Sequence, residues 1–225
     1  MSSTSLLLKF ATSLTTVSNR NYVRKIFVTG IGTDVGKTVV SAVLIQALKA
    51  DYWKPIQTGT EYDNDTERVK KLVTNTSSVF HKEAYALKAS VAPYAAAKAE
   101  NTRIDLENIQ LPETNNTLII EGAGGLFVPL NEKDFVIDLI TKFDAETILV
   151  VQNYLGSINH TLLSIEALKS RSIKLLGIII SGVENVMSEE TILQQSGIKL
   201  LGRLHKEGSI TAEVIKKYET EFSTI

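Results

Sequence analysis

The 225-residue chain contains no cysteine. That absence removes a disulfide framework, a thiol nucleophile, an iron–sulfur cluster and any cysteine-type zinc site. Histidine is nearly as scarce: His81, His160 and His205 stand far apart, so a His-rich metal centre is not expected. A basic excess is missing too, with 24 Lys and Arg against 25 Asp and Glu and a formal net charge of −1. Domains that grip a phosphate backbone concentrate positive charge, so no nucleic-acid partner is expected. No apolar run approaches the roughly 18 residues of a membrane span, so no membrane partner is expected either. Repeats, low-complexity tracts and Pro/Gly-rich linkers are also lacking, which leaves a single domain acting on small molecules. It is expected in the cytoplasm, or in an organelle if residues 1–24 are a targeting segment.

Residues 1–24 have a different composition. They include no Asp or Glu, nine Ser or Thr, and only Lys9, Arg20 and Arg24 as charges. An organelle transit peptide has this character, and so does a disordered extension or a segment read from too early a start codon. The folded domain is expected over 25–225.

Four short apolar runs punctuate the remainder: Ile26–Val28, Leu118–Ile120, Ile148–Val151 and Ile178–Ile180. Apolar without alternation, they read as strands buried on both faces of a parallel sheet. Between them lie helical periods. Val39/Val43/Ala47 and Val40/Leu44/Leu48 repeat every four residues after Lys37, and Ile158, Leu162, Ile165 and Leu168 mark a helix over Ser157–Arg171. Strands alternating with helices predict a doubly wound α/β fold, mostly parallel, with helices on both faces and ligands at the carboxyl ends of the strands. The middle, residues 59–116, is less regular, with a helix-like Thr66–Val73. Farther on, Ser188–Gln195 reads as helix, Lys199–Arg203 as a short strand and Thr211–Phe222 as a terminal helix.

The segment Gly30-Ile31-Gly32-Thr33-Asp34-Val35-Gly36-Lys37-Thr38 follows a buried strand and opens an amphipathic helix. This is the setting of a P-loop, in which glycines let backbone N–H groups close on phosphate oxygens and the helix start adds partial positive charge. Lys37 is placed to neutralise β and γ oxygens, and the Thr38 hydroxyl to ligate Mg²⁺. The spacing departs from the common pattern, because five residues rather than four separate Gly30 from Gly36. A metal-holding carboxylate is expected at the end of a neighbouring strand, and Glu121 in Leu118-Ile119-Ile120-Glu121-Gly122-Ala123-Gly124-Gly125 supplies it. A second dense segment is Lys54-Pro55-Ile56-Gln57-Thr58-Gly59, where the Pro and Gly fix a turn. Taken alone, Lys54 reads equally as a solvated lysine or as one presented with Thr58 at a strand end.

Together these segments resemble the dethiobiotin synthetase family, from about Lys25 to Arg203. That family has the longer phosphate loop, the Lys-Pro-x-x-Ser/Thr-Gly of residues 54–59, an aspartate before a helix matched by Asp65, the Glu-Gly-Ala-Gly-Gly of Glu121–Gly125, and the Gly-x-Ile-Asn-His of Gly156–His160. The resemblance implies ATP-dependent carboxylation and ring closure of 7,8-diaminopelargonate with CO₂. The carbamate formed on one amine attacks the γ-phosphate, and the second amine then closes the ring. It implies ATP as co-substrate on Asp34, Val35, Gly36, Lys37, Thr38, Val39, Gly122, Ala123 and Gly124, and Mg²⁺ on Thr38, Asp65 and Glu121. Lys37 and Lys54 become the catalytic cations, and Thr33 and Thr58 become substrate contacts. It also implies a homodimer in which Ser157, Ile158 and Asn159 receive the distant substrate carboxylate in the partner's site.

Some positions depart from the family pattern. Asp34 stands where Glu is common, Tyr94 replaces a histidine, and Gly202-Arg203-Leu204-His205 lacks a usual proline. Ser181-Gly182 replaces Asn-Asp on the base side of the nucleotide, so base contacts are expected from the backbone there and nucleotide selectivity is left open. The competing reading is a P-loop ATPase of the partitioning or cobyrinate-amidotransferase type, against which Lys54-Pro55 and Glu121–Gly125 discriminate.

Overall fold

The computed structural model describes residues 23–225. The extension or targeting segment expected over 1–24 therefore lies outside the described residues, except for its last two. Arg24 is part of the fold: its guanidinium donates to Glu146 (2.7 Å) and to the Ile225 carbonyl (2.6 Å), and its own carbonyl accepts from the Leu118 N–H (2.9 Å).

In chain order the elements are β1 (Lys25–Gly30), α1 (Lys37–Leu48), β2 (Asp51–Trp53), β3 (Ile56–Gln57), α2 (Asp65–Leu72), β4 (Phe80–His81), β5 (Tyr85–Ala86) and α3 (Pro93–Ala99), then a 3₁₀ turn at Leu106–Asn108. They continue with β6 (Leu118–Gly125), α4 (Val136–Phe143), β7 (Glu146–Gln152), α5 (Ser157–Ser170), β8 (Leu175–Gly182), α6 (Val186–Ser196), β9 (Leu200–His205), α7 (Ala212–Lys217) and α8 (Glu219–Phe222). The main sheet has seven strands in the order β4-β2-β6-β1-β7-β8-β9, with every pairing parallel. β3 and β5 form a separate two-stranded parallel pair.

The side-chain period of two explains why the apolar runs do not alternate with polar residues. Ile26 and Val28, Ile119, Ile148 and Val150, and Ile179 join one buried cluster with residues of α1, α2, α7 and α8. Phe27, Leu118 and Ile120 pack on the opposite face with α3, α4 and the end of α5, and Leu149, Val151, Ile178 and Ile180 pack there with α5 and α6. Both faces are covered, so each residue of these runs is removed from water, stabilising by about 1.5–3 kcal/mol per large apolar side chain. The doubly wound expectation holds.

Elements that escaped the sequence reading lie mainly in the middle segment and are short. β2 has three residues, of which the first is Asp51, and β4 and β5 have two each. The helix expected at Thr66–Val73 runs over Asp65–Leu72, started by Asn64, whose side chain accepts from the Glu67 N–H. The expected terminal helix breaks at Tyr218 into α7 and α8.

Candidate active site

The site grows from the carboxyl ends of β1, β2 and β6. Gly36 caps α1 at φ +92°, a left-handed conformation that L side chains rarely adopt, and a Cβ there would lie 2.8 Å from Ser181 Oγ. No side chain caps α1 and no acid occupies its first turn, so its first N–H groups face outward as an anion cradle. Asp34 sits at φ +57°. Asp tolerates this region better than bulkier residues do, which gives the shorter acid a local reason. Lys37 Nζ folds back to the Gly32 carbonyl at 2.8 Å, bracing the loop across its mouth.

Period-two placement brings the remaining groups together. β2 and β6 pair with Tyr52 opposite Ile119 and Trp53 opposite Ile120. Continuing that register past the strand end sets Lys54 beside Glu121, on the sheet face toward α1 and α2. The Thr38 hydroxyl, in the first turn of α1, lies 3.0 Å from Asp65 Oδ1 and 3.0 Å from Glu121 Oε1. Lys54 Nζ donates to Glu121 Oε1 at 3.0 Å and also to Asp65 Oδ2. Tyr52 donates its hydroxyl to Glu121 Oε2 at 3.0 Å. Gln57 accepts the Asp65 N–H, fixing the first turn of α2. Glu121 is fully buried and Lys54 nearly so, each satisfied by the other, as burial of charge requires.

Burial lowers the Lys37 ammonium to about 8, reinforced by the nearby Lys54 charge and opposed by Glu121, Asp65 and Asp34. Burial also acts to lower Lys54, but the Glu121 and Asp65 carboxylates more than offset it, and its pKa is raised. Asp65 is lowered, because its ion pair with Lys54 and its bond from Thr38 outweigh burial. Burial and the Glu121 carboxylate hold the Tyr52 phenol well above its ordinary value, so it remains a donor.

Thr38, Asp65 and Glu121 present hard oxygen donors, two of them carboxylates, converging on one point. That set fits Mg²⁺, which takes few protein ligands and fills its other positions with water and phosphate oxygens. Among the described residues no group of three or more His, Cys, Asp or Glu could hold a metal ion, so a cation here depends on the Thr38 hydroxyl and on ligand oxygens.

A cavity of about 530 Å³ collects Thr33, Asp34, Gly36, Lys37, Thr38, Val39, Lys54, Thr58, Asp65, Glu121, Ala123 and Gly124, all named from the sequence. It also draws in residues that the sequence reading missed: Ile56 and Gln57, Arg68 one turn beyond Asp65, Ser90-Val91-Ala92-Pro93 at the start of α3, and Val128. Ile56 and Gln57 were signalled by their place between Lys54 and Thr58, and Arg68 by its three-residue spacing from Asp65 on one helix. Val35 and Gly122 lie outside the lining, with Val35 buried against α1 and Gly122 under Phe27. Ser181 and Gly182, expected on the nucleotide, do not line the cavity. Instead the Ser181 hydroxyl donates to the Val35 carbonyl at 2.7 Å beneath the phosphate loop, and Gly182 packs on Gln152.

The start of α5 lies elsewhere. Ile158 and Asn159 line a second cavity of about 780 Å³ with Tyr154, Leu155, Leu162 and Asn185, and Ser157 is buried. His160 Nδ1 meets the exposed Tyr154 hydroxyl at 2.8 Å. This chain does not bring Ser157, Ile158 and Asn159 to its own phosphate loop.

A loop of this kind, opening α1 at the carboxyl edge of a parallel sheet, marks the fold and site as those of a P-loop nucleotide-binding protein. Solved structures share that fold. A ParA family ATPase from Chlorobium tepidum matches with a TM-score of 0.55 at 11% identity, covering 89% of this chain and 98% of that one. The Pyrococcus furiosus cell division ATPase MinD matches at 0.54 and 17% identity, over 89% and 98%. A family model described as an AAA domain matches residues 24–214. The ATP-dependent dethiobiotin synthetase of Christiangramia forsetii is 54% identical over 196 residues, covering 87% of this chain and 94% of that one. That of Cytophaga hutchinsonii is also 54% identical, over 87% and 95%. The chain belongs to the AAA-domain family and, within it, to the ATP-dependent dethiobiotin synthetases.

Proposed function

We propose that the chain is a dethiobiotin synthetase, converting 7,8-diaminopelargonate, CO₂ and ATP into dethiobiotin, ADP and phosphate. The observation that carries this reading is the placement of Lys37 and Lys54 on one cavity with Thr38, Asp65 and Glu121. The identity to named synthetases supports it.

In the reaction, one amine of the substrate attacks CO₂ and loses a proton, giving a carbamate. A carbamate oxygen attacks the γ-phosphorus, and ADP leaves. The second amine then attacks the carbonyl carbon, its proton is lost, the C–O bond breaks and phosphate departs with that oxygen. Negative charge gathers at the carbamate and phosphoryl oxygens in every step, so placed cations dominate catalysis. Lys37, whose ammonium lies at the loop mouth beside the Gly32 carbonyl, neutralises the β and γ oxygens. Bound anion also restores the charge that burial weakens on this lysine. Lys54 bridges carbamate and γ-phosphate, with Thr33 and Thr58 donating hydrogen bonds from the cavity wall. Thr38, Asp65 and Glu121 would hold Mg²⁺, which would supply charge neutralisation for the phosphate when bound.

A homodimer completes the site, with Ser157, Ile158 and Asn159 of one copy receiving the distant carboxylate of substrate bound in the other. The left-handed Gly156 opens α5 without a side-chain cap, leaving N–H groups for a carboxylate. Around that opening Leu155 is 103% exposed, with Leu163 at 60% and Tyr154 at 42%, an apolar surface suited to a second copy. No helix among the described residues is long and apolar enough to cross a membrane. The proposed location is the cytoplasm, or an organelle if residues 1–24 act as a targeting segment.

The test is turnover with diamine, bicarbonate, Mg²⁺ and ATP. One phosphate is expected for each cyclic urea formed, with little phosphate when diamine is omitted. Equal ATP hydrolysis with and without diamine, and no cyclic urea from folded protein, would sink the proposal.

A further inference from the structure

Tyr52 does not line the cavity, yet its hydroxyl reaches the chemistry. The side chain is completely buried on β2, two residues before Lys54, and its ring packs on Phe80 with centroids 6.1 Å apart. Glu121 Oε1 is shared by Thr38 and Lys54, while Oε2 accepts from Tyr52, each at 3.0 Å. The last torsion of a glutamate is soft, so a carboxylate held through one oxygen alone can rotate. Held at both, it keeps Oε1 turned toward Thr38 and Asp65.

We infer that Tyr52 is a positioning residue for Glu121: its buried hydroxyl anchors the far carboxylate oxygen and so fixes the near one as a ligand for the divalent cation that accompanies ATP. The inference rests on the reading of Glu121 as a cation ligand. Tyr52 and Glu121 lie on the same face of neighbouring strands, so the bond joins two rigid elements rather than two loops. A phenylalanine would fill the same space and make the same ring contact, so the hydroxyl contributes through the carboxylate alone. Losing it leaves a buried carboxylate oxygen without its donor. Removal of outer-shell partners of this sort typically weakens metal binding 10–100-fold.

The test is a titration of Mn²⁺ into the full chain saturated with ADP, followed by calorimetry and by emission of Trp53, the chain's single tryptophan. Tyr52→Phe is expected to raise the half-saturating Mn²⁺ about tenfold. Phe80→Leu disturbs the same ring packing without touching the carboxylate and is expected to leave the Mn²⁺ midpoint unchanged. In a Glu121→Gln background, adding Tyr52→Phe is expected to change nothing further. An unchanged midpoint in Tyr52→Phe, with Glu121→Gln clearly weakened, would overturn the inference while leaving the reading of Glu121 intact. An unchanged midpoint in Glu121→Gln would overturn that reading and the inference with it. Equal weakening by Phe80→Leu would reduce Tyr52 to a packing residue.

Discussion

Replacing Lys54 with methionine tests both the stability and the chemistry of the site. Lys54 is 7% exposed and pairs with two carboxylates, one of them fully buried, so its removal leaves Asp65 and Glu121 facing each other across Thr38 with no cation between them. Breaking a buried pair by removing one partner costs about 3–5 kcal/mol, because the surviving charge is left uncompensated. Urea unfolding without metal should show a loss of this order at pH 7. The sign with pH is fixed by Asp65, whose folded-state pKa is lowered. A lowered carboxyl contributes stability above its unfolded value, about 3.9, and loses it as pH falls through the folded value. The gap between variant and parent should therefore be full at neutral pH and close as pH drops below about 4. Turnover should fall about 10²–10³-fold, the usual effect of deleting one preorganised charge-stabilising donor, while ATP binding is mostly retained through Lys37 and the loop. Single-turnover phosphate release and nucleotide titration separate the two effects. Lost ATP affinity with near-normal turnover, or equal stability of variant and parent at pH 7, would refute the reasoning.

Three further outcomes are expected. Gly36→Ala should destabilise the chain by about 1–3 kcal/mol in urea unfolding and weaken nucleotide binding, because φ +92° and the Ser181 hydroxyl both oppose a side chain; wild-type ADP affinity would contradict it. Asp51→Asn should cost about 1.5–3 kcal/mol at pH 7, since Asp51 accepts from Thr114 (2.6 Å), the Val79 N–H (2.9 Å) and Asn116 (3.2 Å). These donors and His81 hold its carboxyl low against burial, so the deficit should shrink below about pH 4, and a pH-independent deficit would contradict it. Leu155→Asp should dissociate the proposed dimer in sedimentation and raise KM for the diamine with little change for ATP; a fully active monomer would refute the shared carboxylate site.

Much of the site was legible because its residues sit where strand and helix ends must place them. The buried runs at Ile26–Val28 and Leu118–Ile120 locate β1 and β6, so the loop after one and Glu121 at the end of the other were bound to meet. Lys54 was harder to read, because β2 is three residues long, opens on Asp51 and carries no apolar run. Nothing in the local sequence marks Tyr52, and only the register with β6 turns its hydroxyl toward Glu121. Ser181 stands at the expected strand end, and its short side chain is turned to the Val35 carbonyl, a contact 146 residues away in sequence that no local pattern reveals. Arg24 fell within an acid-free segment, and no local pattern reveals an ion pair to Glu146, 122 residues away. The cavity wall from Ser90 to Pro93 sits in a region held by two-residue strands and turn hydrogen bonds, which leave no period to read.

In the proposed reaction Lys37 and Lys54 hold a substrate carbamate against the γ-phosphate so that its oxygen attacks phosphorus. Turnover started with ¹⁸O-labelled CO₂ in unlabelled water, sampled before the label exchanges, tests it directly. One ¹⁸O atom is expected in each phosphate released. Phosphate carrying no label, with cyclic urea still formed, would contradict it.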